Sequence, residues 1–135
     1  MMNEQKKRID YTVRAGASVQ QVVDSLAEQL KRRGFGVLSN IDVKKIIKEK
    51  LGEDMSSYVI LDVCSPRHAK KAIDAHKEVG LLLPCKITVY EDSGAVWVSL
   101  YKPTEALKVL DAVDLSPLAL EVERELKAAV DSAVA

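Results

Sequence analysis

The chain has 135 residues, of which 47% are hydrophobic and 30% are charged. This is the composition of a globular protein, and it excludes a disordered chain. The 20 Lys and Arg residues balance the 20 Asp and Glu residues, so no net field directs the protein towards nucleic acid or an anionic membrane. We therefore expect a single domain over residues 1–135, with no membrane association and with nucleic acid as a disfavoured partner.

The N-terminal segment MMNEQKKRID carries charges with no apolar run after them, so we expect no signal peptide. The apolar runs of the chain are far too short to cross a bilayer. The sequence contains two cysteines, Cys64 and Cys85. Because so few cysteines without an export signal are typical of a reducing compartment, we expect a cytoplasmic protein.

The first strand is predicted over residues 8–13, where apolar and polar side chains alternate. A helix should begin at Ser18, which forms a capping box with Gln21, and end before Gly34. Its apolar stripe consists of Val19, Val22, Val23, Leu26 and Leu30. A second strand over residues 35–41 leads to a helix capped by Asp42. Its buried side is predicted to hold Val43, Ile46, Ile47 and Leu51.

The third strand, over residues 58–63, is followed by Ser65 and Pro66, a typical helix start. Strands are then predicted over 85–90 and 95–101, joined by a tight turn that contains Gly94. Two further helices complete the chain, the second of them beginning at residues 116–117. On its outer side, Glu123 and Lys127 have the spacing of an ion pair.

The predicted order is β-α-β-α-β-α-β-β-α-α. Because the strands alternate instead of being apolar throughout, one face of the sheet is not fully covered by helices. We therefore predict an α+β fold: a two-layer α/β sandwich with a mixed, partly antiparallel five-stranded sheet and helices mainly on one face. The side chains predicted to lie beneath the helices are Val59, Leu61, Val63, Ile87, Val89, Val96, Val98 and Leu100.

The opposite face of the sheet is predicted to carry four aromatic residues: Tyr58, Tyr90, Trp97 and Tyr101. Such a face is seldom left bare in water. It could be a homodimer surface, the floor of a ligand pocket or a platform that stacks nucleobases. Neutral net charge and the absence of the glycine-aromatic signature of RNA-binding sheets disfavour the third interpretation.

Cys64 is the side chain whose reactivity the local sequence is expected to increase most. It lies one residue before the helix start at Ser65, where free amides and the positive end of the helix dipole stabilise a thiolate. Arg67 and His68 would add to this effect if they point the same way. The alternative is that Cys64 is a small buried apolar residue. Cys85 is the second candidate thiol.

A catalytic group of Cys64, His68 and Asp62 is conceivable as nucleophile, base and orienting carboxylate, although trios on a short segment arise easily by chance. His68 and His76 lie about 80° apart around a helix, so they cannot share a metal without other ligands. No metal-binding, phosphate-binding or paired-carboxylate motif is present. We therefore assign no catalytic residue, metal or cofactor from the sequence.

The Cys-Ser-Pro of residues 64–66 and the Gly-Leu-Leu-Leu-Pro-Cys of residues 80–85 resemble the family described as domain of unknown function 302. The resemblance runs from Gly34 to beyond Trp97. It implies a homodimer with cysteine at both positions, and it carries no activity. The family has Asn where this chain has Ser65, which keeps a helix cap, and Asn where it has Lys86, which introduces a charge.

From the sequence we expect a small homodimer that binds a small molecule or a protein partner, on the sheet face or at the dimer interface, and we expect binding and not catalysis to be its role. The alternative is a cysteine-dependent redox or sulfur-handling protein centred on Cys64.

Overall fold

A computed structural model of the protein describes residues 8–135. Residues 1–7, which contain most of the charged segment that argues against a signal peptide, lie outside the described residues. The strands are β1 (Asp10–Ala15), β2 (Gly36–Asp42), β3 (Tyr58–Cys64), β4 (Cys85–Asp92) and β5 (Ala95–Tyr101). The helices are α1 (Val19–Arg32), α2 (Val43–Leu51), α3 (Pro66–Ala75), α4 (Pro103–Leu107) and α5 (Ser116–Val134), with 3-10 turns at Lys77–Leu81 and Val113–Leu115. The predicted order of strands and helices is confirmed.

The five strands form one sheet in the order β1-β5-β4-β3-β2, and every neighbouring pair is antiparallel. The α+β fold is therefore confirmed, but the expectation of a mixed sheet is wrong. The reason lies in the two helical connections α2 and α3. Asp42 at the end of β2 lies opposite Val59 at the start of β3, and Val63 near the end of β3 lies opposite Cys85. Each helix thus returns the chain to the end of the sheet that it left, whereas a parallel pair needs a crossover to the other end.

The hydrophobic core lies between one face of the sheet and helices α1 and α5. The side chains predicted for this face include several that are completely buried: Leu61, Val63, Ile87, Val89, Val98 and Leu100. Leu26 and Leu30 of α1 and Leu126 of α5 meet them from the helix layer, also without exposed area. Period-2 alternation therefore predicted the buried face of the three inner strands.

Two short local motifs confirm the turn and cap predictions. The Ser18 hydroxyl accepts from the Gln21 amide while the Gln21 side chain accepts from the Ser18 amide, which is the capping box. At the β4–β5 turn, Ser93 and Gly94 both have positive φ, 53° and 78°. Two consecutive left-handed residues are what a two-residue hairpin turn of type I′ requires.

Helix α2 does not bury the apolar stripe that was predicted for it. No residue of α2 is buried, and Ile46 and Leu51 keep 42% and 62% of their surface exposed. Asp42 does cap the helix, accepting from the Lys45 amide at 3.0 Å. The cap is local and is correctly predicted. The helix packs against β3, and Val43 and Ile47 are half-buried, so this packing covers only part of the stripe.

The long helix α5 differs from its prediction in one pair. Glu123 and Lys127 form the expected ion pair at 3.2 Å, but the Glu123 side chain is buried and not on the outer side. Its Oε1 accepts from the Thr104 amide at 3.0 Å and from the Thr104 hydroxyl at 2.6 Å. Glu123 therefore connects the first turn of α4 to α5.

Among residues 8–135, no helix combines the length and the apolar composition needed to cross a membrane.

Candidate functional site

A cavity of about 90 Å³ lies at the end of the sheet where β3 and β5 finish and β4 begins. Helices α3, α4 and α5 and the two 3-10 turns line it. Of these, α3 follows β3, the first 3-10 turn precedes β4 and α4 follows β5. Its walls are largely apolar; they include Ala72, Val79, Leu83, Ala106, Leu107, Leu115, Leu118 and Val122. We refer to it below as the sheet-end cavity.

One wall of the sheet-end cavity is polar. Cys64, Ser65 and His68 line it together, at the junction between β3 and α3. Ser65 begins α3, but its side chain makes no capping hydrogen bond with the helix. Its hydroxyl lies 2.7 Å from Nδ1 of His68, one helical turn further on. The predicted helix start is thus confirmed, while the hydroxyl is used for a side-chain contact.

The other ring nitrogen of His68, Nε2, lies 2.7 Å from Oε2 of Glu121 on α5. A carboxylate only accepts, so Nε2 carries a hydrogen and donates it to Glu121. In the tautomer whose single hydrogen is on Nε2, Nδ1 is an acceptor and the Ser65 hydroxyl donates to it. The contact with His68 lowers the pKa of Glu121, which therefore stays ionised. Ser65, His68 and Glu121 form a continuous hydrogen-bonded chain, called here the Ser–His–Glu chain.

Packing holds the imidazole of His68 in place. Its side chain is only 12% exposed, and its ring is stacked on Phe35 with centroids 6.1 Å apart and planes 14° from parallel. Phe35 itself belongs to the core. The ring orientation is therefore set by a buried neighbour as well as by its two hydrogen bonds.

The two cysteines lie close to one another at this site. Val63 is the β3 partner of Cys85, so Cys64 is the residue next to that partner, and both cysteines line the sheet-end cavity. Burial raises the pKa of the Cys64 thiol. Burial also raises the pKa of Cys85 to about 11, with a further contribution from Cys64. The direction at Cys64 is opposite to that expected from the helix start, because desolvation opposes the thiolate.

Asp62 and Arg67, which were also proposed to act on Cys64, do not lie around its thiol. Asp62 is on the far face of the sheet, where it is paired with Lys86 and accepts from Ser39, contacts that lower its pKa. Arg67 is exposed and contributes to the lowered pKa of Glu121. The conceivable group of Asp62, Cys64 and His68 is therefore not assembled. Glu121, which the sequence analysis did not single out, occupies the place of the carboxylate beside His68.

The aromatic face of the sheet is separate from most of the cavity. Tyr58 and Tyr90 are cross-strand partners with stacked rings, 5.3 Å between centroids, and Trp97 is the β5 partner of Tyr90. All three are partly exposed. Tyr101 differs, because it lies at the strand end and lines the sheet-end cavity.

Within residues 8–135, no group of three or more His, Cys, Asp or Glu side chains is placed to hold a metal ion. His76 has a different partner from His68: its Nε2 lies 2.8 Å from Asp114 in the second 3-10 turn. This contact lowers the pKa of Asp114.

The chain is similar to known proteins over most of its length. A family model described as "Domain of unknown function DUF302" matches residues 10–133. A solved structure described as an uncharacterized conserved protein DUF302 from Bacillus stearothermophilus is 33% identical, with a TM-score of 0.90. The similarity covers 94% of this chain and 99% of that one. No curated protein matches the chain.

Proposed function

Because the chain belongs to the DUF302 family, whose description gives no activity, we propose its function from the site itself: the protein binds a small, largely apolar molecule in the sheet-end cavity. The observation that carries this proposal is an apolar cavity with a single polar wall. Ligand sites typically combine apolar walls with a few polar groups that orient the ligand. Ser65 and His68 are the polar groups here, and Tyr101 adds an aromatic wall.

The size and polarity of the cavity limit the ligand. An apolar cavity of the order of 150 Å³ takes a molecule such as benzene, so a cavity of about 90 Å³ suits a small ring or a short aliphatic group, with the polar part of the molecule at Ser65. Large cofactors and charged metabolites fit this site poorly, because burying an unpaired charge among Ala72, Leu83 and Leu118 would be costly.

The test is binding of benzene to the full chain, followed by amide chemical shifts in heteronuclear NMR. We expect saturable shifts confined to residues around the cavity. Ala72→Leu adds three carbons to the cavity wall and should abolish them. Ala27→Leu, on the exposed side of α1, makes the same change away from the cavity and should leave binding intact.

Ala69→Leu provides a second filling variant in case Ala72→Leu impairs folding, since Ala69 also lines the cavity. Benzene shifts that persist in a folded filling variant, or that never appear in the parent protein, would contradict the proposal.

A second candidate function rests on the position of the two thiols. Cys64 and Cys85 line the same cavity and are unpaired, so they could together reduce a small bound disulfide. In that exchange each thiol loses a proton and an electron, a Cys64–Cys85 bond forms, and the substrate leaves as two thiols. The raised pKa of both groups makes this function second to binding, because the thiolate is the attacking species.

The proposed assembly is a homodimer formed through the aromatic face of the sheet. Partly exposed Tyr58, Tyr90 and Trp97 are the residue types that anchor protein interfaces. The proposed setting is a reducing one such as the cytoplasm, which two neighbouring unpaired thiols favour.

A further inference from the structure

We propose that Ser65 is the nucleophile of an acyl-transfer site, with His68 as its general base and Glu121 as the positioning carboxylate, and that the substrate is an ester of a small apolar acid. This inference rests on the proposed ligand cavity and adds a reaction to it. It follows from the Ser–His–Glu chain, whose two hydrogen bonds are both 2.7 Å long.

The arrangement meets the geometric requirements for an activated serine. The nucleophile and the base must be within hydrogen-bond reach, and a third group must orient the base. The hydrogen on Nε2 of His68 points to Glu121, so Nδ1 accepts from the Ser65 hydroxyl and can take its proton. The stack on Phe35 restricts rotation of the ring. The base is thereby held in the tautomer that catalysis needs.

The position of Ser65 in the fold also suits attack on a carbonyl group. Ser65 lines the sheet-end cavity and lies immediately before the first turn of α3. Because the serine side chain does not cap this ten-residue helix, the first-turn amides beyond Pro66 are not occupied by it. Amides at a helix start can stabilise the negative charge that develops on a carbonyl oxygen.

The reaction can be written with all atoms accounted for. Oγ of Ser65 bonds to the carbonyl carbon while its proton moves to Nδ1 of His68. The tetrahedral intermediate collapses, the bond to the alcohol oxygen breaks, and the alcohol leaves with the proton from His68. Water then attacks the acyl-serine, gives a proton to His68, and releases the acid as Ser65 regains its hydrogen. Glu121 stabilises the imidazolium in both halves and takes no proton.

The apolar walls and the volume of the cavity determine which part of an ester binds inside it. Its apolar walls take the acyl chain, and the small volume of about 90 Å³ favours short chains over long ones. The alcohol part lies towards the exposed side, where Glu121 is 58% exposed. We therefore expect specificity for the acid and tolerance for the alcohol.

The experiment is hydrolysis of p-nitrophenyl acetate, butyrate and decanoate by the full chain, with identification of the acylated residue by mass spectrometry. We expect saturable turnover of the two short esters and acylation of Ser65. Ser65→Ala should lower kcat/KM by at least about a hundredfold, as loss of a nucleophile or base does. Ser116→Ala, at the exposed start of α5, is the matched control and should retain activity.

Thiols also react with p-nitrophenyl esters, so Cys64 is the competing nucleophile. We expect the acyl group on Ser65 and none on Cys64, and Ser65→Ala, which keeps Cys64, should not be acylated. Turnover that Ser65→Ala retains would overturn the inference, as would acylation at a site other than Ser65. Absence of turnover in the parent protein would also overturn it.

Glu121→Gln tests the positioning residue. We expect kcat to fall while KM stays the same, since the glutamine cannot stabilise the imidazolium but leaves the cavity unchanged. Glu125→Gln, on the same helix and paired with Arg33 at 3.0 Å, is the control and should change neither constant. Equal kinetics for the parent and Glu121→Gln would remove Glu121 from the site.

Benzene binding distinguishes failure of this inference from failure of the proposed function. A protein that binds benzene but hydrolyses none of the esters keeps its ligand cavity and loses the acyl-transfer site. A protein that does neither loses both. Circular dichroism of Ser65→Ala should match that of the parent, which shows that the variant is folded.

Discussion

The hydroxyl of Ser65 has two possible hydrogen-bond partners, the backbone of α3 and the side chain of His68. A serine at a helix start normally accepts from an amide of the first turn. Here it donates to Nδ1 of His68 at 2.7 Å, because Glu121 holds the hydrogen of the ring on the other nitrogen. A serine that donates to an imidazole is polarised for proton transfer, whereas a serine that caps a helix is only structural.

Also at the scale of single residues, we predict that an alkylating reagent modifies Cys64 before Cys85. Cys64 belongs to the polar wall of the cavity and is only partly buried, while burial raises the pKa of Cys85 to about 11. Because only the thiolate reacts, Cys85 should stay protonated at neutral pH, and the rate at both sites should rise with increasing pH. Brief treatment with iodoacetamide followed by site-resolved mass spectrometry gives the order.

Cys64→Ser should leave almost no labelling at neutral pH in the folded protein, and Cys85→Ser should leave most of it. Preferential labelling of Cys85 would show that its burial does not protect it. Equal inertness of both thiols would exclude the disulfide-reducing function, because neither could then begin an exchange.

Strand β4 shows how alternation within one element separates two environments. Ile87 and Val89 have no exposed surface, whereas Lys86 is exposed and pairs with Asp62 on the other face. The pattern is set by the pleat of the strand, since successive side chains point to opposite sides.

We predict that Ile87→Asp abolishes soluble expression. An unpaired carboxylate at this fully buried position costs several kcal/mol, which is comparable with the roughly 5–15 kcal/mol that stabilises a typical domain. Asn40→Asp on β2 is a control, because that side chain is exposed. Soluble yield, with circular dichroism of any soluble product, measures the effect. A well-folded Ile87→Asp protein would refute the assignment of this face to the core.

Helix α2 is the element whose amphipathic stripe is only partly covered, by β3. Its caps, Asp42 and the left-handed Gly52 with φ of 69°, are those of a regular helix. Ile46 and Leu51 nevertheless remain exposed. A helix periodicity predicts which residues share a side, and whether that side is covered depends on what the rest of the fold places next to it.

At the scale of the whole molecule, we predict that the protein is a dimer and that Trp97→Lys makes it a monomer. A lysine in the aromatic face would put an unpaired charge between two protomers. Trp97→Phe keeps an apolar ring at this position and should keep the dimer. Sedimentation velocity at micromolar concentration measures the mass. A monomeric parent, or a Trp97→Lys variant of unchanged mass, would exclude this face as the interface.

Local patterns in the sequence predicted the features that depend on near neighbours along the chain. These are the five strands and five helices, the caps at Ser18 and Asp42, the turn at Gly94 and the buried face of the inner strands. Each arises from a repeat of two or 3.6 residues or from a hydrogen bond within about four residues. The resemblance at residues 64–66 and 80–85 likewise predicted the family.

The antiparallel strand order, the exposure of α2 and the composition of the site depend on contacts between elements that are distant in the sequence. His68 and Glu121 are 53 residues apart, and no periodicity links them. The alternation of side chains between the two faces of the sheet does not predict that Cys64 and Tyr101 line the cavity. Both residues lie at strand ends, where the strands are turning into helices. Burial then raised the pKa of Cys64 against the local effect of the helix start. Such properties depend on which distant elements meet, and short-range patterns in a sequence carry no record of that.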